Sequence, residues 1–319
     1  SNFDCGDVGA NTVTLTVTDL SGNSSICTAT VTVEDNVAPT ALCQNITLQL
    51  DASDNATIAP GDVNNGSSDA CGIASVSVSP NTFTCANVGA NSVTLLVTDV
   101  NGNTSTCNAI VTVNDVTAPV ALCQNITVNL NALGTASITA AQINNGSSDA
   151  CGIASMSVTP SAFTCANVGA NTVTLTVQDA AGNISTCTAT VTVRDVTPPT
   201  AVCQNITVAL DANGQLVITA ADIDNGSNDA CGVALLSASK TSFNCSNVGA
   251  NTVTLTVTDN NGNTSTCNST VTVQDRVAPI AQCKNITIQL DSAGAASIVA
   301  GDINNGATDA CGIASITAS

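Results

Sequence analysis

The sequence predicts an all-β protein, built of tandem immunoglobulin-like antiparallel β-sandwich domains in an extended rod. Three observations support this. The cysteine pattern that begins at Cys5 begins again at Cys85, Cys165 and Cys245, a period of 80. Apolar residues alternate with polar ones inside each period, and a proline ends a short connector between periods. An 80-residue unit is too long for a solenoid repeat but can form a small domain with its own core.

The domain boundaries follow from the prolines. The segment from Asp35 to Pro39 recurs at 115–119, 195–199 and 275–279, and reads as a short, stiff connector. Whole repeats are therefore expected at 36–115, 116–195 and 196–275. Residues 1–35 are expected to form the C-terminal part of a repeat, and residues 276–319 the N-terminal part of another. The chain is thus expected to be a window of a longer repetitive protein.

Each strand is predicted from a run with a period of two. In the 36–115 repeat these runs are 46–50, 74–78, 93–99 and 107–113, all rich in β-branched residues. The segment from Asp99 to Asn103 contains Gly102 and is typical of a hairpin turn. Six or seven strands per repeat are expected, with Phe83 as the one large side chain of an otherwise aliphatic core.

The composition excludes several classes of function. The chain has no histidine, so catalysis or metal binding by histidine is impossible. Four lysines and arginines against 23 acids cannot form a nucleic-acid surface. No apolar run is long enough to cross a membrane. Without aromatic pocket residues or another catalytic group, no enzymatic activity is expected.

The order of motifs in a repeat resembles the hyalin-repeat (HYR) domain. It runs from the connector through Asp69-Ala70-Cys71-Gly72 and Phe83-Thr84-Cys85 to Val111-Thr112-Val113. The Asn- and Thr-rich form is similar to the tandem repeats of large cell-surface adhesins of Bacteroidota, gliding-motility adhesins among them. The resemblance implies an extracellular immunoglobulin-like module of stalks and adhesion. Unlike many HYR units, this chain has no cysteine at 55–57, early in the second strand.

The 16 cysteines are expected to form structural disulfides, because no C-x-x-C motif is present for metal or redox chemistry. Cys43–Cys107 with Cys71–Cys85 is favoured, because the first and last strands of an immunoglobulin-type sandwich run parallel from the same pole. The rival is Cys43–Cys71 with Cys85–Cys107. The favoured scheme gives the equivalent bonds Cys123–Cys187, Cys151–Cys165, Cys203–Cys267 and Cys231–Cys245.

The two schemes differ at the chain ends. The favoured scheme leaves four cysteines without a partner in this chain: Cys5, Cys27, Cys283 and Cys311. The rival closes Cys5–Cys27 and Cys283–Cys311 instead.

Recurring carboxylates suggest calcium as a candidate ligand. Asp35, Asp69, Asp99 and Asn103 recur in each repeat that contains their position, and they offer hard oxygen ligands near the connectors. The alternative is that these side chains cap turns by accepting hydrogen bonds from nearby backbone amides.

The function expected is a disulfide-stabilised stalk or filament segment of a large secreted bacterial cell-surface adhesin, with neighbouring repeats as its main partners. One alternative is a repeated module that binds surface glycans or proteins through avidity. Another is a subunit of a strand-complemented extracellular fibre, because 276–319 and 1–35 supply complementary parts of a repeat.

Overall fold

The computed structural model describes residues 1–319. The chain separates into two compact units. The first comprises residues 1–124, 139–159 and 173–189 and contains the whole 36–115 repeat. The second comprises residues 125–138, 160–172 and 190–319 and contains the whole 196–275 repeat.

Twenty strands and a few one-turn helices make up the regular structure. The strands are β1 Gly9–Thr18, β2 Ser24–Val33, β3 Ile46–Gln49, β4 Asn55–Thr57, β5 Ile73–Ser79, β6 Thr82–Thr84, β7 Gly89–Asp99, β8 Thr104–Asn114, β9 Ile126–Asn129, β10 Thr135–Ser137, β11 Ile153–Thr159, β12 Ala162–Thr164, β13 Gly169–Asp179, β14 Ile184–Arg194, β15 Ile206–Ala209, β16 Gln215–Val217, β17 Val233–Ala238, β18 Ser242–Asn244, β19 Gly249–Asp259 and β20 Thr264–Gln274. The helices are α1 Pro60–Val63, α2 Ala140–Ile143 and α3 Ala300–Ile303, with 3-10 turns at Cys5–Asp7, Cys85–Asn87, Cys165–Asn167, Ala220–Asp222 and Cys245–Asn247.

The 36–115 repeat is a sandwich of two sheets. The larger sheet has the order β3-β8-β7-β5, and the smaller one pairs β4 with β6. The first strand, β3, lies parallel to the last, β8, while β7 is antiparallel to both β8 and β5. Asn45 fixes this edge, because its Oδ1 accepts a 2.8 Å hydrogen bond from the backbone N–H of Ile110. The 196–275 repeat has the same arrangement, with sheets β15-β20-β19-β17 and β16-β18.

The core of the 36–115 repeat is aliphatic around one ring. Phe83 is 1% exposed and packs in a cluster with Leu95, Val97 and Val111. These side chains come from both sheets, since β6 carries Phe83 while β7 and β8 carry the others. The alternation along β7 places every second residue inside, as the period of two requires. Phe243 has the same role in the 196–275 repeat.

The predicted fold class is confirmed by these strands: the protein is all-β, and its whole repeats are six-stranded sandwiches of the immunoglobulin type. The four runs predicted in the 36–115 repeat correspond to β3, β5, β7 and β8. The turn predicted from Asp99 to Asn103 joins β7 to β8.

One disulfide lies within each whole repeat. Cys43 is bonded to Cys107 with their Cα atoms 5.9 Å apart. The geometric reason is the parallel pairing of β3 with β8, which brings the residue before the first strand beside the start of the last. The equivalent bonds are Cys123–Cys187 and Cys203–Cys267.

The predicted bond Cys71–Cys85 is wrong in this structure, and so are Cys151–Cys165 and Cys231–Cys245. Cys71 precedes β5 at the pole where Ile73 pairs with Asp99, whereas Cys85 lies at the opposite pole, just before Gly89. The 11 residues of β7 separate the two poles by about 36 Å. A disulfide needs Cα atoms within about 7 Å, so neither cysteine can reach the other.

The rival scheme is wrong as well, since Cys43 is bonded to Cys107. Cys5 and Cys311 are bonded, although the favoured scheme left them unpaired. Only Cys27 and Cys283 remain free, and both are exposed.

Candidate functional site

The cysteines at the two poles bond to neighbouring repeats instead. Cys71 is bonded to Cys5, and Cys85 is bonded to Cys151, with Cα separations of 5.1 and 4.9 Å. Each bond spans 66 residues and crosses one connector. The same bond recurs as Cys165–Cys231 and Cys245–Cys311. Every connector in the chain is therefore bridged by a disulfide.

A turn packs against two of these bonds. Gly134 has φ +70°, and a Cβ placed there would lie 2.6 Å from Cys165 Sγ and 3.2 Å from Ala230 Cβ. Gly214 makes the same approach to Cys245 Sγ and Ala310 Cβ. Glycine is needed at these positions both for the left-handed backbone and for the space beside the sulfur.

The hairpin turn between β7 and β8 holds the connector. Asp99 Oδ1 accepts hydrogen bonds from the backbone N–H groups of Asn101 and Asn103, at 2.9 and 2.8 Å. The Asn103 amide donates to Asp99 Oδ2 at 2.8 Å and to the backbone carbonyls of Asp35 and Val37 at 3.0 and 3.3 Å. This Asp–Asn clasp recurs with Asp179 and Asn183 and with Asp259 and Asn263.

The clasp carboxylates are kept ionised. Burial acts to raise the pKa of Asp99, which is 1% exposed, but the hydrogen bonds from Asn103, Asn101 and Gly102 outweigh it. The pKa of Asp99 therefore lies below its ordinary value, and the pKa values of Asp179 and Asp259 are lowered in the same way. Both oxygens of Asp99 are occupied, as the turn-capping alternative expects.

A second pair of carboxylates faces each other beside the disulfide. One oxygen of Asp35 and one of Asp69 lie within 4.8 Å of each other and of Cys71 Sγ. Asp69 Oδ1 accepts hydrogen bonds from the backbone N–H groups of Cys71 and Gly72. The pair recurs as Asp115 with Asp149, Asp195 with Asp229, and Asp275 with Asp309.

The four residues predicted as calcium ligands are thus gathered at one pole, but in two separate roles. Asp35 and Asp69 form the facing pair, while Asp99 and Asn103 form the clasp. The sequence reasoning missed that the connector, the turn and a disulfide to the neighbouring repeat meet here. The shared 80-residue phase of the aspartates and Cys71 was the available signal.

Known proteins resemble this chain at the level of the repeat. Residues 194–273 match the family model of the HYR domain. Over 314 residues the chain is 31% identical to hyalin of Strongylocentrotus purpuratus, an alignment that covers 91% of this chain. The similarity to the HYR family model thus extends over one repeat and part of its connector. The chain spans only 26% of the length of hyalin.

Solved structures of other tandem-domain proteins are also similar. Titin domains I67–I69 are 10% identical at a TM-score of 0.34, covering 75% of this chain and 99% of that one. Extracellular cadherin domains 1–4 of protocadherin gamma B7 are 13% identical at a TM-score of 0.30, covering 84% of each chain. At these scores the likeness is slight, and the strands themselves establish the fold.

The seven disulfides and the HYR match over residues 194–273 are features of an extracellular repeat protein. The chain contains no helix with the length and apolar character needed to cross a membrane.

Proposed function

We propose that this chain is a stalk segment, under tension, of a large secreted adhesin at a bacterial cell surface. The resemblance to Bacteroidota surface adhesins, gliding-motility adhesins among them, supports the setting. The observation that carries the proposal is the set of disulfides between repeats. A binding module acting alone has no need of a covalent bond across every connector, whereas a tether under tension does.

The disulfide loops overlap along the chain. The loop from Cys5 to Cys71 overlaps the loop from Cys43 to Cys107, which in turn overlaps the loop starting at Cys85. The overlap continues without a gap to Cys311. Every peptide bond between Cys5 and Cys311 thus lies inside at least one loop. A single proteolytic cut in this range leaves the two parts joined.

The same bonds shorten the covalent path that carries tension. A pull enters a repeat at Cys71, follows the backbone to Cys85 and crosses directly to Cys151. Fully stretched, this path measures about 50 Å per repeat, against about 270 Å for a whole unbridged repeat. Strand β7 alone is about 36 Å long when folded. With its bonds intact, an unfolded repeat is therefore little longer than a folded one, which suits a tether of nearly fixed length.

Single-molecule force spectroscopy on the oxidised chain tests this proposal. Each unfolding event is expected to add no more than about 20 Å of contour length, and more than about 200 Å after reduction. Increments above about 200 Å from the oxidised chain would show that the disulfides do not carry the tension and would contradict the proposal.

A variant lacking one junction bond gives a matched control. With Cys85→Ser and Cys151→Ser, the shortest path from Cys71 to Cys165 runs through both neighbouring intra-repeat bonds and is longer. The contour-length increment of one unfolding event per molecule should then grow by about 130 Å, while the increments of the other events stay short. An unchanged trace would place the force on another path and contradict the proposal.

A further inference from the structure

The facing carboxylates at the junctions contain an oxygen that no group of the protein satisfies. Asp115 is 6% exposed, and its Oδ1 accepts a 2.9 Å hydrogen bond from the backbone N–H of Thr117. Its Oδ2 is buried and has no hydrogen-bond partner. Asp195, 8% exposed, leaves the same atom unpartnered, and so does Asp35. A buried anionic oxygen without a partner is strongly unfavourable.

A second carboxylate lies beside that of Asp115. An oxygen of Asp149 lies within 4.8 Å of an oxygen of Asp115. Asp149 Oδ1 accepts a 2.9 Å hydrogen bond from the backbone N–H of Cys151. The hydrogen-bond donors around Asp179 are not available to this pair, because the Asn183 side chain and two backbone N–H groups already donate to Asp179.

Few positive side chains are available to offset these charges, and Arg194, which adjoins Asp195, is exposed to solvent. The chain contains no histidine, and no lysine or arginine precedes Arg194. The pairs Asp35–Asp69 and Asp115–Asp149 therefore lie in a long stretch without a single basic side chain. At these two pairs the missing positive charge must come from solution, as a metal cation or as a proton.

We propose that each junction binds a calcium ion between the connector aspartate and the loop aspartate, with Asp115–Asp149 and Asp195–Asp229 as the two most enclosed sites. Carboxylate oxygens are ligands for hard cations. The nearby sulfur of Cys151 is in a disulfide, so it cannot act as a thiolate ligand for a soft metal. Two carboxylates completed by backbone carbonyls and water correspond to dissociation constants of about 10⁻⁴ to 10⁻³ M, as in other extracellular modules.

This assignment sharpens the ligand set predicted from the sequence. The unpartnered atom belongs to the connector aspartate, and the loop aspartate faces the same carboxylate group. Asp99 and Asn103 are positioning residues, since they hold the connector backbone in place through the clasp.

Calorimetric titration of the oxidised chain with CaCl₂, together with melting curves, tests the proposal. Calcium at a few millimolar should raise the Tm, and the titration should show at least two sites. The variant Asp149→Asn with Asp229→Asn retains the hydrogen-bond acceptors for the following backbone amides but should lose two sites.

A control variant removes the same number of charges elsewhere. Asp62→Gln with Asp222→Gln is suitable, because Gln142 already caps the equivalent turn in the repeat between them. This control should leave calcium binding unchanged.

Two results would overturn the proposal. One is no heat and no shift in Tm at about 10 mM calcium, well above the expected dissociation constants. In that case, a Tm that rises as the pH falls from 7 to 5 would identify the alternative. That result would assign the positive charge to a shared proton. The other is the full number of sites in the Asp149→Asn, Asp229→Asn variant. Neither result bears on the force experiment, which depends only on the disulfides.

Discussion

The interior of a repeat and the junction between repeats are held together by different means. In the interior, Phe83, Leu95 and Val111 are almost fully buried, and the bond Cys43–Cys107 is added to a packed core. At the junction, one asparagine donates hydrogen bonds to the connector and to the turn, and a pair of facing carboxylates lies beside the disulfide. Burial of apolar surface can stabilise the interior by itself. At the junction a disulfide adds a second covalent link beside the connector peptide.

Cutting the chain inside a repeat should show which bond spans the interior. Met156 is the only methionine and lies between Cys151 and Cys165, where only the bond Cys123–Cys187 crosses the cut. The exposed Ser157 is changed to alanine to speed the cleavage, and free thiols are blocked. Cyanogen bromide should then leave one species near 31.4 kDa on a non-reducing gel.

The control for this cut removes the spanning bond. With Cys123→Ser and Cys187→Ser, the same treatment should release two fragments of roughly half that mass. Fragments that stay joined in this variant would indicate a bond between Cys151 and Cys165. Separation of the two fragments in the chain that keeps Cys123 and Cys187 would support the pairing of Cys123 with Cys151.

Truncating the core ring should unfold a repeat without opening its junctions. Phe83→Ala removes the largest buried side chain of the 36–115 repeat and should cost about 3–5 kcal/mol of unfolding free energy. Urea unfolding of the oxidised chain should show one transition moved to lower concentration, because the other repeats keep Phe163 and Phe243. Loss of a junction disulfide in this variant, detected by thiol counting, would mean that the two regions are not independent.

Removing the clasp should have a smaller effect, confined to one junction. Asn183→Ala takes the amide from Asp179 Oδ2 and leaves a carboxylate oxygen that is largely buried, at a cost of about 1–3 kcal/mol. Melting curves should show this loss, whereas Asn145→Ala, an exposed position whose side chain makes no hydrogen bond, should change little.

The pH dependence of the clasp gives a second readout. The folded pKa of Asp179 lies below the unfolded value of about 3.9, so its stabilisation is present above that pH and is lost as the pH falls through the folded pKa. Asn183→Ala should weaken this acid-sensitive contribution. An identical pH profile in the two proteins would show that the clasp does not hold Asp179 ionised.

The sequence predicted the interior better than the junction, for a physical reason. Alternation with a period of two reports which face of a strand is buried, so β7, β8 and the core ring could be predicted. Parallel first and last strands also place Cys43 beside Cys107. Neither signal reports what lies beyond the end of a repeat.

The partner of Cys71 could not be chosen from the spacing. Cys5 and Cys85 occupy the same position in successive periods, one before Cys71 and one after it. A periodic sequence is therefore compatible with either bond. Only the length of β7, which places Cys71 and Cys85 at opposite poles, distinguishes them. The repeat pattern identifies Asp35 and Asp69 as candidate ligands, but their contact depends on the path of the connector.

A cut in one connector tests most directly whether repeats are joined by disulfides. A protease site placed between Val116 and Pro119 lies where only the bond Cys85–Cys151 spans the chain. After cleavage and thiol blocking, a single species near 31.4 kDa on a non-reducing gel is expected, splitting into two on reduction. Two separate fragments without reductant would contradict the account, because every pairing within repeats leaves this connector unbridged.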